Sequence, residues 1–172
     1  MHIRLQNNIY SSTQIFQPTI KSSRNPFEIY RMMKLYSIER GDRFPTYEAI
    51  MNSLNSILSN CKIRFIKNEA GKILAAYTYR LRKNKLEEKS LFIDALVRNR
   101  QNAESKTLMP KIYQDIKKLA EKKQAKELTL YSVSKDKALR ANYEKLGFKK
   151  DEKVWITGGY IMRVRTTDFL GK

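Results

Sequence analysis

Cysteine, histidine and tryptophan are almost missing from this chain, with Cys61, His2 and Trp155 the sole examples among 172 residues. A lone cysteine excludes an internal disulfide framework, and one cysteine with one histidine is too few ligands for a conventional zinc site. Glycine (6) and proline (4) are also sparse. No linker-like or low-complexity stretch divides the chain and no internal repeat is visible, so its length predicts one domain. No apolar run approaches the roughly 18 residues that span a bilayer. Polar Asn7 and Asn8 follow Met1–Gln6, leaving no apolar centre for a secretory leader. These absences are those expected of a cytoplasmic protein in a reducing compartment. Negative charge is in short supply too: 17 Asp and Glu face 35 Lys and Arg, a net charge of +18.

What is present is enough for a core. The apolar fraction is 41% and the aromatic fraction 10%, too high for a disordered chain. The positive field attracts phosphates, nucleic acids, anionic membranes and acidic cofactors without choosing among them. The lysines are scattered with no long block of like charge, a pattern that solvated basic faces also produce.

Periodicity orders the elements. Ile3 and Leu5 alternate as in a short strand, and residues 1–24 read as an N-terminal extension ahead of a domain over 25–172. Asn25, Pro26 and Glu28 form the start signal of a helix, with Asn25 and Glu28 spaced as a capping box. Ile29, Met33 and Tyr36 then share a face, and Gly41 marks the stop. A second helix is expected after Pro45 and Thr46, with Ile50, Leu54, Ile57 and Leu58 as its stripe.

The period then changes to two. Lys62–Lys67 and Ile73–Leu81 are strands joined by the turn Asn68–Gly71. Arg82–Ser90 reads as a polar loop. Leu91–Val97, apolar except for Asp94, reads as a strand covered on both faces. A third helix is expected over Thr107–Lys123, a strand over Glu127–Val133 and a short helix over Lys137–Leu146 closed by Gly147. Val154–Ile156 and Tyr160–Val164 form a closing hairpin. The order is α-α-β-β-β-α-β-α-β-β. Because a helix separates them, Leu91–Val97 and Glu127–Val133 should lie parallel in an otherwise antiparallel sheet.

This order and three segments resemble the GNAT superfamily of N-acetyltransferases. Ala138–Phe148, above all Tyr143-Glu-Lys-Leu-Gly-Phe148, is similar to the end of the family's fourth helix. Phe92–Val97 is similar to its fourth strand, and Ala125–Leu130 to its fifth. The likeness spans about residues 27–165. It implies an α/β (α+β) fold: a mixed, mostly antiparallel sheet, one parallel pair splayed at a cofactor cleft, and about four flanking helices.

The resemblance also implies acetyl-CoA as cofactor, its pyrophosphate held by backbone N–H groups at the start of the third helix. The family motif there, Q/R-x-x-G-x-G/A, uses glycines so that the backbone can approach closely. Here one register gives Arg100-Gln-Asn-Ala103-Glu-Ser105, and another puts the glycine positions at Thr107 and Met109. Neither contains a glycine. Pro110 requires the helix to begin near Thr107, leaving Arg98–Lys106 as a loop. Arg98, Arg100 and Lys106 supply charge to this loop, Ser105 and Thr107 hydroxyl donors, and Asn102 and Ala103 backbone. Glu104 is repulsive to a phosphate unless it turns away.

Transfer of an acetyl group from a thioester to an amine needs a neutral amine, a donor for the developing oxyanion and a proton for the leaving thiolate. By resemblance Tyr143 is the general acid, since an ordinary phenol, with a pKa of roughly 10, holds its proton at neutral pH. The backbone of Leu96, Val97 and Arg98 pairs with the pantetheine arm, and Asn142 supplies a polar group where Asp136 replaces the family's usual asparagine. Asp94 is the candidate general base, and a carboxylate paired with a neighbouring cation is the alternative. The acceptor amine would be set by Arg40–Pro45 and Thr157–Tyr160. The competing reading is a catalytically inactive module of the same fold that binds nucleic acid or a ribosomal partner through its basic surface. Exposed strand edges leave a homodimer open.

Overall fold

The computed structural model describes residues 18–39, 48, 52, 55, 59–132, 137–154 and 158–170. Seven strands form one sheet: β1 (Thr19–Ser22), β2 (Lys62–Lys67), β3 (Ile73–Lys83), β4 (Lys89–Arg98), β5 (Glu127–Ser132), β6 (Lys149–Val154) and β7 (Gly159–Arg165). Their spatial order is β1-β2-β3-β4-β5-β7-β6. Among the described strands only β4 and β5 run parallel, joined by a helical crossover, as the sequence predicts. The described helices are α1 (Pro26–Glu39), α2 (Met109–Lys122), which follows a 3-10 helix at Ala103–Thr107, and α3 (Lys137–Lys145).

Strand alternation sends two sets of apolar side chains to opposite faces. On one face Ile29, Met32 and Met33 of α1 pack against Ile63, Phe65, Ala76 and Val97. On the other, Ile112, Ile116 and Leu119 of α2 pack on Tyr77, Leu91, Ile93, Leu128 and Met162, joined at the edge by Tyr143 and Phe148. One polar lock crosses this second interface. Asp115 of α2 accepts two bonds from Arg64, at 2.8 and 2.7 Å, and a third at 2.5 Å from the fully buried Tyr77 hydroxyl. Burial, then the bond to Asp115, pushes the Tyr77 phenol far above its ordinary value.

Several expectations need correction. The Asn25 carbonyl and side chain do cap α1, receiving the Ile29 and Phe27 amides. The capping box does not close: Glu28 pairs with Lys67 on β2, and the Asn25 amide donates to Ser23. A nearby ammonium outcompetes a backbone amide for the carboxylate. The polar loop Arg82–Ser90 is shorter than expected, because Arg82 pairs with Ser90 and Lys83 with Lys89 before the chain turns at Asn84. The closing hairpin begins earlier, at Lys149 rather than Val154. Residues 149–153 are polar and exposed on an edge strand, so they show no apolar alternation. The expected loop Arg98–Lys106 is partly helical, since the 3-10 helix takes up Ala103 onward and runs to Thr107.

Of the expected second helix, Glu48, Asn52, Asn55, Ser59 and Asn60 are helical, whereas Ile50, Leu54, Ile57 and Leu58 lie outside the described residues. So do Ile3, Leu5, Gly41 and the Tyr36 side chain. Among the described residues no helix is long and apolar enough to cross a membrane.

Candidate functional site between two diverging strands

The parallel pairing lasts four rungs, from Ser90–Glu127 to Ile93–Leu130. Both strands continue, β4 to Arg98 and β5 to Ser132, so the sheet opens beyond Ile93. A bulge helps: Thr78 pairs with Ala95 and Tyr79 with Ile93, which leaves Asp94 as an extra residue on β4. The gap is a narrow, mostly apolar slot of about 60 Å³. Ile93–Leu96 form one wall, Leu130 and Tyr131 the other, with Tyr113 and Ile116 of α2 and Tyr143 of α3 closing it.

Each tyrosine is seated by packing. Tyr143 lies edge-on to Phe148 at 5.9 Å between ring centroids, and Phe148 to Phe169 at 5.6 Å. The turn between α3 and β6 makes this possible: Gly147 adopts φ +95°, and the Leu146 and Phe148 amides return to the Tyr143 carbonyl. Tyr113 stands edge-on to Phe169 at 6.2 Å. Its burial raises the phenol pKa, with Arg98 pulling in the opposite direction. Gly159 of β7 carries the Tyr131 ring against its backbone, where no side chain would fit.

The mouth of α2 is built without glycine. Asn99 and Asn102 act as local caps, their side-chain oxygens accepting from the Gln101 and Glu104 amides at 3.2 and 2.9 Å. Ser105 is fully buried and its hydroxyl donates to the Asn99 and Asn102 carbonyls at 2.5 and 2.7 Å. The hydroxyl expected to meet a phosphate is thus consumed inside the loop, because burial leaves it no other acceptor. Thr107 is exposed, with its hydroxyl 3.3 Å from the Glu104 carbonyl. Glu104 is drawn aside by Asn68, at 3.2 Å. Arg98 is half-buried while Arg100 and Ala103 are exposed; the Lys106 side chain lies outside the described residues. Pro110 falls in the first turn of α2, as expected.

Asp94 is not a free base. Its carboxylate pairs with Arg80 at 2.5 Å and accepts from the Cys61 thiol at 3.3 Å, the paired alternative that the sequence leaves open. Burial first, then this bond, pushes the Cys61 thiol up to about 11. Asn142 is exposed on α3 and lines no part of the slot. Asp136 and the segment 40–45 lie outside the described residues, as does Thr157. The structure brings together Tyr143, Leu96 and Asp94; it adds Tyr113 and Tyr131, which sequence reasoning passed over. Period-two alternation along 127–132 places Tyr131 on the opposite face from Leu130, with its ring over Gly159 of β7.

No family model matches the sequence, and no curated protein matches it. Solved structures do. A GNAT-family acetyltransferase from Listeria monocytogenes superposes with a TM-score of 0.64 at 14% identity, covering 86% of this chain and 94% of its own. A mutant of the spermidine N-acetyltransferase SpeG from Vibrio cholerae gives 0.65 at 10% identity, covering 90% and 96%. Strand order, the single parallel pair and these superpositions agree, and the fold of this chain is that of the GNAT acetyltransferases.

Proposed function

We propose that this chain is an N-acetyltransferase that moves an acetyl group from acetyl-CoA directly to an amine in a ternary complex. The observation that carries the reading is the slot opened between β4 and β5 with Tyr143 on its wall. When bound, acetyl-CoA supplies the activated acetyl group as a thioester. The strand backbone at Leu96–Arg98 is paired to β3 on one side and past its last rung with β5 on the other, so it can receive the pantetheine arm. Arg98 and Arg100 at the mouth of α2 supply positive charge for the phosphates, helped by the dipole of that helix. Tyr143 holds a proton beside the slot and delivers it to the departing thiolate. Asp94 orders Arg80 and the bulge rather than taking the amine's proton.

Calorimetry with acetyl-CoA on the wild type and on Tyr143→Phe tests this. The expected result is similar cofactor affinity with turnover lower by about 100-fold or more. Absence of binding at millimolar acetyl-CoA refutes the assignment. The self-bonded loop at Asn99–Ser105 favours a second reading, a non-catalytic module that meets nucleic acid through its +18 charge. That binding would weaken steeply with salt, by orders of magnitude between low and physiological ionic strength.

A further inference from the structure

The sheet has a second concavity, on the face opposite α2 and α3. Along β3 the alternation puts Arg80 and Arg82 on the same face as Ala76, which packs on α1. Along β4 it puts Ser90 and Phe92 there, and Thr129, Ile161 and Arg163 join from β5 and β7. Arg82, Ser90, Phe92, Thr129, Ile161 and Arg163 line a groove of about 340 Å³, with Arg80 close to Phe92 but outside the lining. Its floor is the Phe92 ring beside the Ser90 and Thr129 hydroxyls, which bond each other at 2.7 Å.

The cations of this groove are not equivalent. Arg163 is held by Glu127 at 2.9 Å and Asp151 at 2.7 Å. Lys83 is held by Glu87, and Lys85 lies near Asp151 and Glu152. Arg80, outside the lining, pairs with Asp94. Arg82 has no carboxylate partner among the described residues; its guanidinium lies over Phe92, 4.3 Å from the ring centroid. A guanidinium stacked on an aromatic ring keeps its donor edge in a fixed plane, which suits a carboxylate or phosphate approaching along that edge. Phe92 is two residues, about 7 Å of extended strand, from Asp94, and Asp94 lines the slot on the other side of the sheet.

We propose that this groove seats an anionic group, carboxylate or phosphate, of the acceptor amine, with Arg82 and Phe92 as its specificity-determining residues. The proposal rests on the transferase reading above. It makes the substrate an amine that carries negative charge, and it disfavours polycationic amines, which Arg82 would repel.

Phenyl phosphate, benzoate and spermidine, titrated separately into the full chain, test it by NMR at the Arg82 Nε–H and the Phe92 ring. The expected result is saturable shifts with the two anions and none with spermidine. Binding should weaken at least about ten-fold in Arg82→Ala and be partly retained in Arg82→Lys. The tighter of the two anions distinguishes a phosphate-bearing from a carboxylate-bearing acceptor. Anion binding unchanged in Arg82→Ala, or spermidine shifting the same signals more strongly, overturns the proposal. Acetyl-CoA titrated into the same sample is read at Tyr113 and Tyr143, so a failure of the cofactor reading shows separately from a failure of the groove. With acetyl-CoA present, O-phosphoethanolamine should exceed spermidine about ten-fold or more in kcat/KM, and Arg82→Ala should erase that preference. A wild-type preference for spermidine overturns the proposal.

Discussion

Replacing Asp115 by leucine should be worse for this protein than removing the whole polar lock around it. In the wild type the Asp115 carboxylate receives Arg64 through two bonds and Tyr77 through a third. Asp115→Leu strands a largely buried guanidinium and a fully buried phenol. Leaving a buried hydroxyl without its acceptor costs about 1–3 kcal/mol. Breaking a buried ion pair from one side costs about 3–5 kcal/mol, and the exposed edge of Arg64 pulls this toward the lower end by solvent screening. The single variant is therefore expected to lose about 3–5 kcal/mol in all, since the two costs overlap at one carboxylate. The triple variant Tyr77→Phe, Arg64→Met, Asp115→Leu replaces every member by an apolar group and strands none. It should lose clearly less than the single, because a buried pair often breaks even against hydrophobic isosteres. Urea unfolding followed by far-UV dichroism measures both, with an unchanged m value as the check that only stability moved. A triple variant less stable than Asp115→Leu refutes the reasoning, since it would mean that the lock stabilises outright.

The remaining tests are shorter. With its pKa pushed up to about 11, Cys61 should alkylate with iodoacetamide at pH 8 on the order of 100-fold more slowly in the native protein than in urea. Its raised value also means that the Cys61 contribution to stability is complete below pH 9 and lost as pH rises toward 11. A native rate close to the denatured one would contradict the buried Cys61–Asp94 bond. Glu28, held low by its bond to Lys67, contributes above the ordinary carboxylate range and loses that contribution on acidification. The melting temperatures of wild type and Glu28→Gln should therefore converge between pH 7 and pH 3; a constant gap argues against the pair. Gly159→Ala would place a methyl 2.6 Å from the Ser132 carbonyl and against the Tyr131 ring. It should destabilise by about 1–3 kcal/mol in thermal unfolding, whereas a neutral outcome would show that Tyr131 moves freely.

Elements with a buried face were legible because burial writes a period into the chain. Lys62–Lys67, the start of β3 at Ile73 and the start of β5 at Glu127 coincide with the predicted bounds for that reason. The edge strand β6 buries almost nothing, so Lys149–Lys153 gave no periodic signal. The candidate site was half legible. Tyr143 stands in a recognisable helix ending, but Tyr113 and Tyr131 meet at the slot only where α2 and β5 come together in the fold, which no local spacing announces. Pairings such as Arg80 with Asp94, or Glu28 with Lys67, join residues far apart along the chain and obey no local spacing rule. Ser105 shows a related ambiguity: a serine beside a helix start suits a ligand and an internal stitch equally well, and only the fold shows its hydroxyl bonded to the Asn99 and Asn102 carbonyls.

The four rungs between β4 and β5 divide the sheet mechanically. On one side stands a ribbon of consecutive antiparallel strands, β1 to β4; on the other, a second ribbon of β5, β7 and β6. Tension applied across that seam meets fewer rungs than the nine between β3 and β4 or the six between β5 and β7, so it should part before those two ladders. Deuterium should enter there sooner than in the neighbouring antiparallel ladders. A molecule wedged into the opening would brace the two ribbons against each other, so occupancy ought to be readable as slower exchange along the seam, well away from any atom it touches.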